Sequence, residues 1–251
     1  MQKILFTICG RAGSKGIKNK NIRPFLGKPL PYYTLSAIDL FLKRAGDNIC
    51  ADIVVNTDSP ELIDILQNNP WKRPIDVIVR SPELSGDTVG KVDVIIDCLQ
   101  KEQEKNQCSY DVVVDCDLTS PLRKVEDIAN LLKVQAETGA DCTTSVAPAR
   151  RSPYFNQIKP TENGYKLVIQ TNYTCRQQAP EVYDMNASLY AYKPDFLATR
   201  QDVLDGHCEI IEMMDTGILD LDHVNDFELM EVIASYLFRK NKDFGEIFEN
   251  I

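Results

Sequence analysis

The sequence has few histidines and no paired cysteine motif. Its 251 residues include two histidines and eight cysteines, and no two of these cysteines form a C-x-x-C pair. This pattern excludes a histidine-rich metal centre and argues against a zinc site or a disulfide framework. We therefore expect reduced thiols in a cytoplasmic protein, and we expect any bound metal to be a hard cation held by carboxylates.

Long apolar runs and a general excess of positive charge are absent as well. No apolar run approaches the ~20 residues that a membrane-spanning helix requires, and the first run, ILFTIC, is too short for a signal peptide. The formal net charge is −9, which argues against a broad surface for nucleic acid or anionic membranes. We expect neither as a partner, so any anion site must be local.

One segment near the start departs from this acidic composition. No aspartate or glutamate precedes Asp39, and the segment CGRAGSKGIKNKN follows the first apolar run. It has neither the order of a nucleotide P-loop nor the G-x-G-x-x-G of a dinucleotide site. Backbone N–H groups of such a glycine loop can bind phosphate oxygens while lysine and arginine neutralise the charge. The alternative is a solvated basic turn. The residues concerned are Gly10, Gly13, Gly16, Arg11, Lys15 and Lys20.

Short β-type runs alternate with helical patterns along most of the chain. The predicted strands include KILFTIC, ADIVVNT, IDVIV, YDVVVDCD and ADCTTSVAP. The helical patterns include LPYYTLSAIDLFLKR, ELIDILQ, DTVGKVDVIIDCLQKEQEK and KVEDIANLLKVQAETG, and Asp58 or Ser59 could cap the second of them. This alternation predicts an α/β fold, a doubly wound and mostly parallel sheet covered on both faces.

The alternation breaks between residues 150 and 185. This segment mixes prolines with polar and aromatic residues, and we interpret it as a hairpin arm inserted into a single domain that spans residues 1–251. The arm is a candidate subunit contact. The run NASLYAY then returns to the sheet, and NDFELMEVIASYLFRKN is predicted to form the final helix.

Several sequence blocks resemble one known family and occur in that family's order. The first is the pattern A-R-x-G-S-K-G-x-x-x-K-N, which this chain matches at Arg11, Gly13, Ser14, Lys15, Gly16, Lys20 and Asn21. Later blocks match at Arg80, Leu84, Asp87, Thr119–Arg123, Arg176, Gln177, Pro180, Asn186, Tyr190, Asp220, Asp222, Asp226 and Phe227. The chain thus resembles the acylneuraminate cytidylyltransferases, and among them it looks most like the CMP-legionaminic acid synthetases.

The resemblance implies a fold similar to that of nucleotide-diphospho-sugar transferases, and it also implies a reaction. In this family a nine-carbon sugar acid attacks the α-phosphorus of CTP, which gives a CMP-sugar and pyrophosphate. The resemblance further implies Mg²⁺ as cofactor and a homodimer. It assigns Arg11, Ser14, Lys15 and Lys20 to the triphosphate, Asn21 to the adjoining part of the nucleotide, and Arg80 to the cytosine.

Metal and sugar residues follow from the same resemblance. Asp220 and Asp222 are two residues apart, so in an extended segment both carboxylates face one side and can hold Mg²⁺. The alternative is a pair of exposed loop acids. Arg176 is assigned to the carboxylate of the sugar, because a guanidinium binds carboxylates bidentately. Asn186 and Tyr190 are expected in the sugar pocket, although Tyr190 also fits core packing in a strand.

The chain departs from the family pattern at several positions. Asp117 and Leu118 replace the glutamine and proline of sialic acid enzymes, and Asp115 makes a second pair of carboxylates with Asp117. Asp117 could contact the sugar or a second Mg²⁺, or it could order the loop. Gly10 replaces an alanine. No general base is evident, and His223 is interpreted as a solvated loop residue.

Two kinds of alternative stay open from the sequence. The sugar acid could be N-acetylneuraminate, pseudaminate or 3-deoxy-octulosonate instead of legionaminate. A non-catalytic sensor of nucleotide-sugars, or a regulatory partner subunit, could retain the basic loop without performing turnover. A pair of metal-binding aspartates favours the enzyme.

Overall fold

The computed structural model describes residues 1–13, 16–71, 73–86, 89–216 and 221–251. The strands are β1 (Gln2–Cys9), β2 (Pro24–Phe25), β3 (Lys28–Pro29), β4 (Ile49–Thr57), β5 (Asp76–Val79), β6 (Val112–Cys116), β7 (Cys142–Pro148), β8 (Ile158–Thr161), β9 (Gly164–Leu167), β10 (Tyr183–Tyr192) and β11 (Cys208–Glu212). The helices are α1 (Leu30–Ala45), α2 (Pro60–Gln67), α3 (Lys91–Asn106), α4 (Val125–Thr138), α5 (Pro194–Ala198), α6 (Val224–Lys240) and α7 (Lys242–Glu249).

A seven-stranded sheet organises the chain. Its strand order is β11-β7-β10-β6-β1-β4-β5. Strand β10 runs antiparallel to its neighbours β6 and β7, and the other adjacent pairs are parallel. The predicted α/β class with a mostly parallel sheet is therefore confirmed.

Alternate residues of β1 are buried on opposite faces of the sheet. Ile4, Phe6 and Ile8 belong to the larger apolar core, which includes residues of α1, α4, α6 and α7. Leu5 belongs to a second core, which includes residues of α3 and α5. Because successive side chains of a strand point to opposite faces, a run that is apolar throughout requires helices on both sides.

Several elements differ from the sequence-based prediction. The third predicted helix begins at Lys91 and not at Asp87, because Gly90 has an extended backbone (φ −67°, ψ 141°). A further helix, α7, follows the predicted final helix and is capped by the Asn241 side chain, which accepts from the Asp243 backbone N–H. Strand β11 and helix α5 were not predicted. All of these elements are short or lie at the ends of longer patterns, where periodicity is a weak signal.

The segment predicted as an arm lies between β7 and β10. It contains the hairpin β8–β9 and the short 3-10 helix Arg176–Gln178. Large apolar side chains are exposed along it, and Ile158 and Tyr165 have 62% and 72% of their surface accessible. The predicted hairpin is thus present, and its apolar residues face outward in the single chain.

Among the described residues, no helix has both the length and the apolar composition that crossing a lipid bilayer requires.

Candidate active site

A cavity of about 570 Å³ opens at the carboxyl edge of the sheet, where residues following β1, β5 and β6 meet. This is the edge at which open α/β sheets bind ligands. The cavity is lined by six of the predicted site residues. They are Arg11, Lys20, Asn21, Arg80, Asp117 and Asp222.

The basic loop is held in place by hydrogen bonds to its backbone. Asp58 accepts from the Ala12 backbone N–H at 2.6 Å, and the Asn21 side chain donates to the Arg11 carbonyl at 3.0 Å. Ser59, and not Asp58, caps α2, since its hydroxyl accepts from the Leu62 backbone N–H. Of the two candidate caps, Ser59 therefore caps the helix, and Asp58 holds the basic loop.

A close approach at Gly16 brings the loop against the segment before α6. A Cβ atom built on Gly16 would lie 2.0 Å from the carbonyl oxygen of Asp222, well inside the contact distance of any side chain. Glycine is needed wherever two backbones approach this closely. The contact places the Asp222 carboxylate beside the loop, with Lys20 Nζ 3.4 Å from its Oδ1.

Asp222 is exposed, and its backbone is fixed by the next helix. Its side chain is 65% accessible, whereas that of Lys20 is 17% accessible. Asp226, in the first turn of α6, accepts hydrogen bonds from the backbone N–H groups of Asp222 and His223 at 3.2 and 2.7 Å. His223 lines the same cavity. The carboxylate of Asp222 is therefore presented to the cavity on a held backbone.

Arg80 is buried and is oriented by Asn56. Its Nε donates to the Asn56 side-chain oxygen at 2.8 Å, and its Nη2 donates to the Asn56 backbone carbonyl at 2.9 Å. The amide of Asn56 donates in turn to Asp97 at 3.0 Å. These bonds fix the plane of the guanidinium, which is the property that a directed contact to a planar ligand requires.

Lys91, the first residue of α3, bridges the second carboxylate pair. Its Nζ lies 2.7 Å from Asp115 Oδ2 and 2.7 Å from Asp117 Oδ2. Asp117 Oδ1 accepts from the backbone N–H and the hydroxyl of Thr119 at 2.7 and 2.6 Å. Asp117 therefore orders the loop, as one of the two sequence interpretations holds, and it also lines the cavity.

The charges of this cluster set its protonation. Burial by itself would raise the pKa of Asp117, but the Lys91 ammonium and the hydrogen bonds from Thr119 outweigh burial and hold that pKa well below its usual range. Burial would lower the pKa of Lys91, but Asp115 and Asp117 raise it well above its usual value. Near neutral pH the cluster holds a cation between two anions, so neither Asp117 nor Lys91 is suited to accept a proton there.

A buried arginine supports the same loop from below. The Arg123 side chain is 1% accessible and donates to the carbonyls of Asp117 and Ser188 at 3.0 and 2.6 Å. It also donates to the hydroxyls of Ser188 and Thr34. Ser188 follows Ala187, whose φ of 52° marks an irregularity in β10. Arg123 thereby links the backbone of β10 at Ser188 to the loop that carries Asp117.

Three predicted sugar residues are not among those that line the main cavity. Arg176 is exposed and lines a separate cavity of about 370 Å³ with Arg150 at the base of the arm. The Asn186 side chain is buried and accepts from Ser145 at 2.5 Å. Tyr190 is half-buried, stacks on Tyr192 with ring centroids 5.9 Å apart, and pairs with Asp115 across the sheet. Tyr190 therefore adjoins the carboxylate cluster beside the cavity, whereas Arg176 lines a different cavity.

Four of the matched positions lie outside the described residues. They are Ser14, Lys15, Asp87 and Asp220. In the remainder of the chain, no group of three or more histidine, cysteine, aspartate or glutamate side chains could hold a metal ion. Asp222 is the predicted metal ligand that the structure places, and its exposed carboxylate at the cavity is the type of ligand that Mg²⁺ accepts.

Sequence reasoning missed three residues that shape the site. Lys91 and Asn56 were passed over, and Asp58 was considered as a helix cap alone. Asn56 and Asp58 stand at the end of a predicted strand, and Lys91 lies in the second turn of a predicted helix; such positions meet at one edge of a parallel sheet. That position was the one signal in the sequence that could have identified them.

Solved structures of other proteins share this fold. A CMP:2-keto-3-deoxy-manno-octonic acid synthetase solved with CTP superimposes with a TM-score of 0.66, covering 94% of this chain and 99% of the other at 14% identity. The chain therefore has the nucleotide-diphospho-sugar transferase fold, with an antiparallel strand in its sheet.

Sequence comparisons add the family. The family model described as cytidylyltransferase matches residues 5–249. A post-translational flagellin modification protein B of Campylobacter coli is 33% identical over 245 residues, and a CMP-N,N'-diacetyllegionaminic acid synthase of Campylobacter jejuni is 32% identical over 245 residues. Each alignment covers 97% of this chain and 100% of the relative. The chain belongs to the cytidylyltransferase family.

Proposed function

We propose that this cytidylyltransferase couples CTP to a nonulosonic sugar acid, with legionaminic acid or a derivative as the favoured substrate. The anomeric hydroxyl of the sugar gives up its proton to solvent, its oxygen bonds to the α-phosphorus of CTP, the bond from that phosphorus to the oxygen that bridges to the β-phosphorus breaks, and pyrophosphate leaves. The observation that carries the proposal is the cavity where the basic loop, Arg80 and Asp222 converge. The relative named for diacetyllegionaminic acid supports this choice of sugar.

The triphosphate lies against the basic loop in this proposal. Phosphoryl transfer is catalysed mostly by positioning and by neutralising charge on the phosphate oxygens. Arg11 and Lys20 line the cavity, and the loop that carries them is tied to Asp58 and to Asn21. Ser14 and Lys15 complete this subsite by resemblance. An acidic chain thus acquires a local positive field where the anion binds.

The cytosine lies against Arg80. The guanidinium has five N–H groups, and Asn56 accepts from two of them, which leaves the outer edge for the base. A neutral base edge is recognised by directed hydrogen bonds, so a fixed plane is worth more here than net charge. Asn56 is a positioning residue in this assignment.

Asp222, together with Asp220, would hold Mg²⁺. The ion would bring its positive charge to the phosphate oxygens. The fit rests on the exposed Asp222 carboxylate beside Lys20 and the glycine loop. Asp226 holds the backbone from which this carboxylate projects, and the ammonium of Lys20 adds charge at the same end of the cavity.

The acidic sugar approaches from the side of the arm. Arg176 and Arg150 line one cavity there, so two guanidinium groups face the region assigned to the carboxylate of the sugar. We include a homodimer in the proposal, because the exposed Ile158 and Tyr165 side chains suit a subunit contact. Asn186 and Tyr190 shape this side from β10. The proposal also includes a cytoplasmic location, where CTP is made available and free thiols persist.

The test is pyrophosphate release from CTP and Mg²⁺ with a panel of acids: legionaminate, N-acetylneuraminate, pseudaminate and 3-deoxy-octulosonate. Each CMP-sugar product is identified by mass. We expect release with legionaminate or its diacetyl derivative to be fastest. Fastest release with another acid would refute the sugar assignment and keep the chemistry. Release with no acid, from a protein that binds CTP, would favour a sensor.

A further inference from the structure

Lys91 lies between two carboxylates, Asp115 and Asp117, that could otherwise bind a metal ion. Asp115 and Asp117 end β6 with their Oδ2 atoms each 2.7 Å from Lys91 Nζ. Asp115 has no accessible side-chain surface, whereas the Lys91 side chain is 35% accessible and lines the main cavity. The ammonium is therefore shared between a buried carboxylate and one that borders the cavity.

We propose that Lys91 is the resident cation of this carboxylate pair and that no divalent metal binds between Asp115 and Asp117 in the working enzyme. The inference rests on the proposed function, because it concerns how many metal ions the nucleotide site takes. Lys91 is a positioning residue in this proposal: it holds Asp117, and through Asp117 the Thr119 loop, at the wall of the cavity.

Three of the four carboxylate oxygens accept a hydrogen bond, and the fourth, the buried Asp115 Oδ2, has only its ion pair with Lys91. Asp115 Oδ1 accepts from the Thr7 hydroxyl at 2.9 Å, and Asp117 Oδ1 accepts from Thr119. The two Oδ2 atoms adjoin Lys91. Mg²⁺ requires about six oxygen ligands in near-octahedral arrangement. A metal ion would thus have to displace the ammonium and then draw further ligands from a site whose carboxylates are otherwise engaged.

Burial explains why a cation must be present at all times. An ionised carboxylate without access to water is stable only when it is paired or hydrogen-bonded. Asp115 lies near the carboxyl end of β6, between two neighbouring strands. Thr7 of β1 is on one side of it, and Tyr190 of β10 is on the other. A covalently attached ammonium satisfies this need before any ligand arrives, whereas a metal ion that arrives with the nucleotide would not.

An ammonium also leaves one donor for the substrate. Lys91 has three N–H groups, of which one donates to Asp117 Oδ2, and Asp115 Oδ2 lies 2.7 Å from the same nitrogen. Because the Lys91 side chain is 35% accessible and lines the cavity, a remaining N–H group can meet a substrate oxygen there. The net charge of the cluster is negative, so this donor suits a neutral oxygen of the substrate better than a phosphate.

Counting bound Mn²⁺ tests the proposal without requiring turnover. Free Mn²⁺ is measured by electron paramagnetic resonance during titration of the full chain with Mn²⁺ alone, for the wild type, Asp117→Asn, Lys91→Met and Lys91→Met/Asp117→Asn. We expect the wild type and Asp117→Asn to bind equal numbers of ions. Lys91→Met should bind about one more per chain, and the double variant should lose that ion.

Two outcomes would overturn the proposal. One is a bound Mn²⁺ that the wild type holds and Asp117→Asn lacks; the other is a folded Lys91→Met chain that gains no ion. If Lys91→Met does not fold, the comparison of wild type with Asp117→Asn still decides the question. Because the count needs no sugar, failure of the proposed substrate would appear only in pyrophosphate release and leave this result intact.

Discussion

The chain contains two D-x-D motifs, and the carboxylates that the structure describes in them, Asp115 and Asp117 in one and Asp222 in the other, have opposite surroundings. Asp115 is fully buried at the end of a strand, and Lys91 neutralises it together with Asp117. Asp222 is 65% accessible in the segment before α6, and Lys20 is 3.4 Å from it. The two motifs have the same spacing in the sequence, but burial and the nearest cation decide what their described carboxylates do.

The difference separates a structural charge from a ligand-binding charge. A buried, paired carboxylate contributes to folding, and its partner cannot be removed without leaving an uncompensated charge. An exposed carboxylate with a weak ion pair contributes little to stability and is free to meet a ligand. The same substitution in the two pairs should therefore have different consequences.

Asp222→Asn should cause the largest effect, and it should be on activity. We expect kcat/KM to fall roughly 100-fold or more, because the variant loses a carboxylate that we propose as a ligand of Mg²⁺, and with it the positive charge that the ion would bring to the phosphate oxygens. The melting temperature should stay near that of the wild type. Steady-state pyrophosphate release and thermal unfolding measure the two quantities. Glu228→Asn, an exposed α6 residue away from the cavity lining, is the control; an equal loss in both variants would contradict the assignment.

Asp115→Asn should show the reverse pattern, with stability affected first. The amide leaves the Lys91 ammonium beside Asp117 alone and removes a buried ion pair, for which we expect a loss of about 2–3 kcal/mol in the free energy of unfolding. Urea denaturation measures this loss. An unfolding free energy equal to that of the wild type would show that Asp115 does not depend on Lys91.

Gly16→Ala should separate the basic loop from Asp222. Its Cβ would lie 2.0 Å from the Asp222 carbonyl oxygen, so the loop or the segment before α6 must move. A shift of about 1 Å at a reacting site can cost up to 100-fold, and we expect at least a tenfold fall in kcat/KM for CTP. Gly90→Ala is the control: Gly90 has φ −67°, and a Cβ there would have no neighbour closer than 3.7 Å. A similar loss of activity in both variants would exclude the contact as the cause.

Lys91→Met should change how stability depends on pH. In the wild type the pKa of Asp117 is depressed, so its contribution is present above about pH 4 and is lost only as pH falls through the lower native value. Without the Lys91 ammonium, burial and repulsion between Asp115 and Asp117 raise the pKa of one of these two carboxyl groups. The stability of the variant is then lost as pH rises through this raised pKa. The melting temperature of Lys91→Met should thus increase from pH 8 to pH 5 relative to the wild type. A constant difference between the two proteins would contradict this.

Gly10→Ala should have the smallest effect. A Cβ on Gly10 would lie 2.6 and 2.8 Å from the side-chain ends of Leu118 and Leu62. Two departures from the family pattern, Gly10 and Leu118, thus share one contact. Overpacking of this kind costs about 1 kcal/mol when side-chain ends can move. The cost of Gly10→Ala should be smaller in a Leu118→Ala background than in the wild type if this contact causes it, and the double-mutant cycle of unfolding free energies measures that coupling.

Much of the architecture was predictable, because it depends on local patterns in the sequence. The order of strands and helices, the arm and the edge that carries the cavity all follow from hydrophobic periodicity and from the rules of parallel sheets. The elements that were missed, α5, α7 and β11, are five to eight residues long. Such short patterns do not distinguish a strand or helix from a loop.

Part of the site was predictable for a different reason. Arg11, Lys20, Asn21, Arg80, Asp117 and Asp222 stand in recognisable sequence blocks, and the fold unites them at one cavity. Arg176, Asn186 and Tyr190 stand in equally clear blocks, but they are not among the residues that line this cavity. A sequence block preserves residue types, but it carries no information on which cavity a side chain faces.

By itself, the sequence determined the alternation of elements, the acidic chain with one basic loop, and the resemblance to cytidylyltransferases, because these depend on neighbouring residues. The tertiary structure alone decided the pairings. Lys20 and Asp222 are 202 positions apart, and Arg80 and Asn56 are 24 apart. Which cation neutralises which carboxylate depends on strand order and helix placement, and these are set by burial of apolar faces throughout the chain.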